Sequence, residues 1–215
     1  MPLPYQGNAN GNRYLGHPTL VPDFYPEVVG KTGFIDQQSP AQYNASNPRA
    51  NASNVVTIGG TITNGDTIQL TLSQAQLPNG AISFTYTALT SQTIQDVAEG
   101  LASGLNQAIA TAGISNILVI TGSTSTASEA TLSVLWSGQA GNAATLTKTL
   151  SGGATETVTF NPSNGKLTGG TGPVYAVNNF NFSYKNVTLS AWAGRPFTTD
   201  PVLIAALVAQ NMPVV

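Results

Sequence analysis

Few residues in this chain could carry chemistry. His17 is its one histidine, there is no cysteine, and nine acidic side chains are spread over 215 residues. His17 stands between Gly16 and Pro18 in a proline-rich stretch, whereas a catalytic triad needs its histidine held rigidly between a nucleophile and a carboxylate. A zinc site needs three or four ligands from histidine, cysteine and carboxylates. We therefore expect neither a triad nor a metal centre.

The acidic residues suggest structural roles more readily than catalytic ones. Asp96 and Glu99 lie one turn apart on a predicted helix, where Asp96 suits the helix start and Glu99 the solvent side. Asp66 follows a turn glycine and is expected to stabilise that turn. Glu129 and Glu156 stand alone between strands. A glycosidase needs two carboxylates at a set separation, and the sequence leaves open whether these two meet in space.

No cofactor motif is present. The pairs Gly59-Gly60, Gly152-Gly153 and Gly169-Gly170 lack the helix and the Lys-Ser/Thr of a phosphate loop, so they read as turns. The run from Trp192 to Phe197 is more unusual, because aromatic residues and arginine are enriched at binding hot spots. Trp192, Arg195 and Phe197 are therefore candidate interaction residues. Stacking of Arg195 on Trp192 within the fold is an equal alternative.

The composition favours a protein that is covered by partners. Only 7% of residues are charged, against roughly 25% in ordinary soluble domains, and 41% are hydrophobic. Uncharged polar surface is buried at lower desolvation cost than charged surface. The alternative is simply a threonine-rich β-protein. The seven basic residues are scattered, so we expect no nucleic-acid binding and no attraction to anionic membranes; no apolar run reaches the length of a membrane span.

Residues 1–53 are predicted to form an extended N-terminal arm. Prolines at positions 2, 4, 18, 22, 26, 40 and 48 favour extended backbone, yet the segment is richer in aromatics than a disordered linker. Such an arm could lie along another subunit; a flexible leader is the alternative. No secretory signal is recognised, so we expect the chain to fold in a cytosol. The candidate anchors are Tyr5, Tyr14, Phe24, Tyr25 and Phe34.

Residues 54–165 are predicted to form a β-rich main domain. Alternation of apolar and polar residues, as over Asp66–Leu72, marks about seven strands separated by glycine and asparagine turns. One stretch changes period: apolar residues at helical spacing predict an amphipathic helix over about 93–112, capped by Thr93 and ended by Gly113. The expected fold class is mainly β: a β-sandwich-like domain with one packed helix.

Residues 166–215 are predicted to form a short hairpin followed by a helix. Phe180, Phe182 and Tyr184 alternate with polar residues, and Asp200-Pro201 suits a helix start. The last helix has no polar face, so its side chains must be covered. Its own domain or a neighbouring subunit could do this, and we slightly favour the neighbour, with Leu203 and Leu207 as contacts.

The middle domain resembles a module that recurs in virion proteins of tailed bacteriophages. The resemblance spans roughly residues 55–160, and the ending, from Phe182 to Val215, is similar to the C-terminal part of small phage head-associated proteins. The run from Ala193 to Phe197 and Asp200-Pro201 carry the similarity of the ending. The motifs of the middle domain are Asn64-Gly65-Asp66-Thr67-Ile68, Phe84-Thr85-Tyr86-Thr87, the run from Thr93 to Leu101, and Gly138-Gln139-Ala140-Gly141-Asn142-Ala143.

The resemblance implies a non-enzymatic virion component, assembled in the host cytoplasm. It would decorate or stabilise the capsid, or sit at the head–tail junction, with other copies of itself and other virion proteins as partners. We expect a homo-oligomer anchored by the arm. A tail or fibre adhesion module that binds host-surface glycans is the alternative. We expect no catalytic, cofactor-binding or metal-binding residues.

Overall fold

The computed structural model describes residues 49–122, 126, 128–151 and 155–215. These residues belong to two compact units. Among the described residues, the main domain contains Asn51–Ser137 and Gly141–Gly170, and the smaller unit contains Thr171–Val215 together with Gly138–Ala140, Arg49 and Ala50. The predicted fold class is confirmed, since the described residues are mainly β with a packed helix. Most of the predicted arm, including its five aromatic anchors and His17, lies outside the described residues.

A three-stranded antiparallel sheet forms one layer of the main domain. It consists of β2 (Thr67–Ser73), β3 (Ala81–Thr87) and β6 (Thr145–Ser151), in the order β3-β2-β6. The alternation in β2 turns Ile68, Leu70 and Leu72 inward, where all three are buried.

A four-stranded antiparallel sheet forms the second layer. It consists of β1 (Ala52–Thr61), β4 (Ile117–Thr121), β5 (Glu129–Trp136) and β7 (Thr155–Asn161), in the order β4-β5-β1-β7. Inward residues of both sheets, among them Ile58, Leu132 and Leu146, belong to one hydrophobic core. Although β6 and β7 are consecutive in the chain, they belong to different sheets.

Helix α1 (Ile94–Thr111) links β3 to β4 and packs into the same core. Thr93 and Asp96 form a reciprocal capping box at its start, and Gly113 follows its end with a φ of 74°. The sequence predicted both ends. Val97, Leu101 and Leu105 are buried, which is the apolar stripe expected from the helical spacing.

The smaller unit contains four short strands and the last helix. They are β8 (Val174–Tyr175), β9 (Phe180–Tyr184), β10 (Val187–Ala191), β11 (Pro196–Thr198) and α2 (Pro201–Ala209). β9 and β10 form the predicted hairpin, and β8 pairs with β11. Asp200 caps α2 through Val202 N, as expected.

Helix α2 is covered by its own unit, which corrects our slight preference for a subunit contact. Leu203 and Leu207 are completely buried in a second core that also includes Phe182, Leu189 and Val214. The reason is that the C-terminal residues fold back: Val215 and Tyr175 exchange backbone hydrogen bonds of 2.8 and 2.9 Å. Neither leucine is accessible to a partner in this structure. Val202, in contrast, is 63% exposed.

Candidate interaction surfaces

The outer surface of the three-stranded sheet carries no charged side chain at its outward strand positions. We call it the threonine face. Alternation turns every second residue of β2, β3 and β6 outward, and none of these residues is buried. The outward residues are Thr67, Gln69, Thr71 and Ser73 on β2, Ala81, Ser83, Thr85 and Thr87 on β3, and Thr145, Thr147, Thr149 and Ser151 on β6.

The register arranges these residues in rows across the sheet. Thr71 of the central strand lies between Ser83 and Thr147, and Thr67 lies between Thr87 and Ser151. Hydroxyl groups therefore repeat along and across the face at the spacing of the strands. A sheet of this kind presents short side chains of similar size, which is a surface that another protein could cover closely.

Part of the hydrogen-bonding capacity of the threonine face is used within the face. Gln69 Nε2 donates to Thr85 Oγ1 at 2.9 Å, and the hydroxyls of Thr67 and Ser151 bond to each other across the strands. Polar groups that already have partners lose less when water is removed than unpaired ones. The face therefore combines absence of charge with a reduced cost of burial.

The structure gives Asp96 and Glu99 separate partners within the helix. Asp96 Oδ2 accepts from Thr93 N and from Thr93 Oγ1, both at 2.7 Å, and these two bonds lower the pKa of Asp96 below its usual value. Glu99 accepts from Gln95 Nε2 at 2.7 Å. Asp96 therefore caps the start of the helix, as the sequence suggested, whereas Glu99 forms a side-chain hydrogen bond with Gln95.

Glu129 and Glu156 lie near the same end of β1 but on opposite faces of its sheet. Gly59 of β1 pairs with Glu129 of β5 on one side and with Thr157 of β7 on the other. The next residue of β1, Gly60, pairs with Glu156. Glu129 is exposed on the outer face, whereas Glu156 is 4% exposed on the inner face, and its oxygens have no hydrogen-bond partner within the described residues. The possible pairing left open by the sequence therefore does not occur.

Asp66 has the turn role that was expected. It is buried, and its Oδ2 accepts from Thr63 N at 2.8 Å, which closes the Asn64-Gly65 turn. Within the described part of the chain, no group of three or more His, Cys, Asp or Glu residues could hold a metal ion. No helix among the residues searched is both long enough and apolar enough to cross a membrane.

The Trp192–Phe197 cluster divides into exposed and buried residues. Arg195 N donates to Trp192 O at 3.1 Å across a tight turn that contains Gly194 with a φ of 76°. Trp192 and Arg195 are exposed on this turn, and no cation–π contact joins them among the described side chains. Phe197 is buried edge-on against Phe180, with ring centroids 5.9 Å apart. Phe197 therefore belongs to the core of the smaller unit rather than to an accessible surface.

Arg49, the first described residue, is held by residues of the smaller unit. Its guanidinium lies 5.4 Å from the centre of the Tyr175 ring. Burial raises the pKa of the Tyr175 hydroxyl, and the charge of Arg49 opposes this rise. Ala50, the next residue, donates to Thr171 O at 3.4 Å and to Thr171 Oγ1 at 3.1 Å. The chain is therefore fixed to the smaller unit before it enters β1.

The residues of the phage-like motifs serve the fold. Asn142 pairs with the backbone of Gly170 through two hydrogen bonds of 2.9 Å, one from each group. A Cβ at Gly141 would lie 2.6 Å from Trp136 Cβ, so only glycine fits there. With the Asp66 turn and the Thr93–Asp96 capping box, the motif positions specify turns, a cap and close packing.

Sequence reasoning missed the threonine face as a surface. The signal was present in three separate segments, each with uncharged and mostly hydroxyl residues at every second position. What could not be read was that β6, far along the chain, pairs with β2 and brings the three segments together.

Comparison with protein-family models, with curated proteins and with solved structures returns no match to this chain. The resemblance to phage virion modules therefore rests on the residues named above.

Proposed function

We propose that this chain is a non-enzymatic structural subunit of a tailed-bacteriophage virion and that it assembles through its threonine face. The observation that carries the proposal is the absence of charge at every outward position of β2, β3 and β6. Charged residues are depleted at the buried centres of protein interfaces. A charge-free sheet face in a chain with so few charges fits permanent contact with protein.

The proposed place of the subunit in the virion follows from the resemblance of residues 55–160 to modules of phage virion proteins. It decorates or stabilises the capsid, or sits at the head–tail junction, with copies of itself and other virion proteins as partners. The structural roles of Asp66, Asp96 and Asn142 support this assignment, because these motif residues serve the fold rather than a reaction.

The substitution Thr71→Lys tests the proposal. Thr71 is central in the face, and a lysine there adds a charge that a partner would have to desolvate. We expect Thr71→Lys to lower the mass measured by light scattering and to reduce binding to phage particles, with an unchanged melting temperature. Ser103→Lys, on the exposed side of α1, is the matched control and should assemble normally. Equal assembly of both variants would contradict the proposal.

Detection of the chain in particles tests its location separately. Purified tailed phages from the host that carries the gene would be examined by mass spectrometry, and an antibody against the chain would locate it on the particle. We expect labelling at the head or at the head–tail junction. Labelling confined to the tail tip, or absence from particles, would contradict the assignment.

A tail or fibre adhesion module that binds host glycans is the second candidate. The exposed Trp192 favours it, since an indole ring beside Arg195 on a turn could stack on a sugar. Binding to a glycan array that Trp192→Ala abolishes and Thr71→Lys leaves unchanged would favour this function over the first.

A further inference from the structure

The exposed turn from Trp192 to Arg195, which we call the indole turn, is held in place by backbone hydrogen bonds. Arg195 N donates to Trp192 O at 3.1 Å across the turn. Gly194 N donates to Ala176 O at 2.8 Å, and Ala176 N donates to Arg195 O at 3.3 Å. A surface that is already ordered loses little conformational freedom on binding. The indole turn is therefore a preorganised part of the surface of the smaller unit.

The side chain of Asn179 lies beside the indole turn and is oriented by it. Its Oδ1 accepts from Ala193 N at 2.8 Å. Because a backbone N–H can bond to the oxygen of the amide but not to its amino group, this bond determines which end of the side chain is Nδ2. Asn179 is exposed, so Nδ2 is available to donate hydrogen bonds next to the turn.

The side chains of this surface are hydrogen-bond donors. Trp192 is 37% exposed, and its indole has an N–H but no acceptor. Arg195 is exposed and carries five N–H donors and no acceptor. The two residues stand at the ends of a hydrogen-bonded turn, which places their Cα atoms within about 7 Å of each other. One ligand of the size of a sugar can therefore contact both side chains.

The charge of Arg195 is not neutralised within the described part of the chain. Its guanidinium has no ion-pair partner among those residues. Between Thr171 and Val215 the sequence contains one acidic side chain, Asp200, whose Oδ1 accepts from Val202 N at the start of α2. An anion from outside can therefore bind to Arg195 without first displacing a carboxylate.

The chemistry of these side chains selects a sugar that carries a carboxylate. The flat indole of Trp192 stacks on the C–H face of a sugar ring, and the guanidinium of Arg195 binds a carboxylate through two parallel hydrogen bonds. The hydroxyl protons of a neutral sugar need acceptors, which these side chains do not offer. Uronic and sialic acids combine a ring for the indole with an anion for the arginine.

We propose that the indole turn, together with Asn179, binds acidic sugars of a surface glycan. The sugar ring stacks on Trp192, its carboxylate lies against Arg195, and Asn179 Nδ2 donates to a sugar oxygen. This inference rests on the second candidate function, glycan binding, and names the class of sugar. It is compatible with assembly through the threonine face, because the two surfaces consist of different residues.

An exposed site of this kind binds weakly in a single copy, since exposed ion pairs contribute little. Several linked copies raise the overall affinity by roughly 10²–10⁴-fold without any new contact. The experiment therefore presents both partners in many copies. The full-length chain would carry a tag and be clustered by a bivalent antibody against that tag, so that every variant is compared at the same valency.

A glycan array tests the class of sugar. The clustered chain would be applied to oligosaccharides of uronic and sialic acids, each printed beside its carboxyl methyl ester, and to neutral oligosaccharides. The methyl ester keeps the ring and removes the charge. We expect at least one acidic oligosaccharide to bind at least about tenfold more strongly than its ester, because a hydrogen bond to a charged group is stronger than a neutral one. Added salt should weaken this binding.

Variants of the smaller unit test the site. Arg195→Gln should weaken binding of the acidic oligosaccharide at least about tenfold and leave the methyl ester unaffected, whereas Trp192→Ala should abolish binding of both. Lys185→Gln is the matched control, because it removes another exposed positive charge from the same unit and should leave binding unchanged. Equal losses with Arg195→Gln and Lys185→Gln would show an effect of net charge alone and overturn the proposal. Unchanged melting temperatures would show that the variants are folded.

The outcomes separate this inference from the proposed functions. Equal binding of an acidic oligosaccharide and its ester, or binding of neutral oligosaccharides alone, would overturn the acidic-sugar proposal and leave glycan binding standing. Absence of binding to every glycan would overturn both. The effect of Thr71→Lys on assembly is measured without any glycan, so the threonine-face proposal stands or falls independently.

Discussion

Gly104 of α1 lies directly against the aromatic ring of Phe84 in β3. A Cβ at this position would overlap the ring, and the same is true of Gly100 against Tyr86, one turn earlier in the helix. Glycine costs a helix up to about 1 kcal/mol relative to alanine. The two glycines therefore permit the close approach of the helix to the sheet.

Gly104→Ala should therefore destabilise the protein despite its better helix propensity. Overpacking of a core typically costs about 1–3 kcal/mol, which exceeds the propensity gain of up to about 1 kcal/mol. Urea unfolding would measure the free energy of unfolding, with Ser103→Ala, on the exposed side of α1, as the control that should be neutral or slightly stabilising. A more stable Gly104→Ala variant would show that Phe84 can move aside freely.

Asn106→Ala should open the free edge of β4. The variant leaves Val119 N and O without the amide that satisfies them, and an unsatisfied buried polar group costs about 1–3 kcal/mol. It also exposes a strand edge that carries Leu118 and Ile120, which are 52% and 44% exposed. We expect a lower melting temperature and faster aggregation on heating, whereas the exposed neighbour Gln107→Ala should change neither.

The elements that the sequence predicted well are those with strong local signals. The capping box of Thr93 and Asp96, the stop at Gly113 and the alternation in β2 depend on residues close in the chain, so they could be read directly. The hairpin of β9 and β10 was predicted for the same reason.

Long-range pairing was not predictable in the same way. Nothing near Lys148 indicates that β6 pairs with β2 and not with its neighbour β7, although this pairing forms the threonine face. The apolar surface of α2 showed that the helix had to be covered, but the fold of Val215 back onto Tyr175 was needed to show what covers it.

The pKa of Asp96 leads to a prediction about acid stability. Because the folded state lowers this pKa, the carboxylate contributes stability that is fully present above the unfolded value near 3.8. That contribution is lost as the pH falls through the lower folded value. Asp96→Asn should therefore be less stable than the parent at pH 6, and the difference should shrink as the pH drops below about 3.8.

Thermal melts of both proteins between pH 2 and pH 6 would measure this difference. Glu99→Gln is the matched control, since Glu99 accepts its hydrogen bond from Gln95, whereas the Thr93 cap bonds to Asp96. If the difference in melting temperature between Asp96→Asn and the parent stays constant down to pH 2, the capping bond does not depend on the charge of Asp96.

Leu207→Ala tests where helix α2 is buried. The side chain is fully enclosed in the core of the smaller unit, and a truncation of this kind typically costs about 2–5 kcal/mol. We expect Leu207→Ala to lower the melting temperature, while the particle mass, measured by light scattering below that temperature, stays equal to that of the parent protein. Val202→Ala, on the same helix but 63% exposed, should leave the stability close to that of the parent. Reduced assembly by Leu207→Ala at full stability would instead place α2 in a subunit contact, which its burial within one copy opposes.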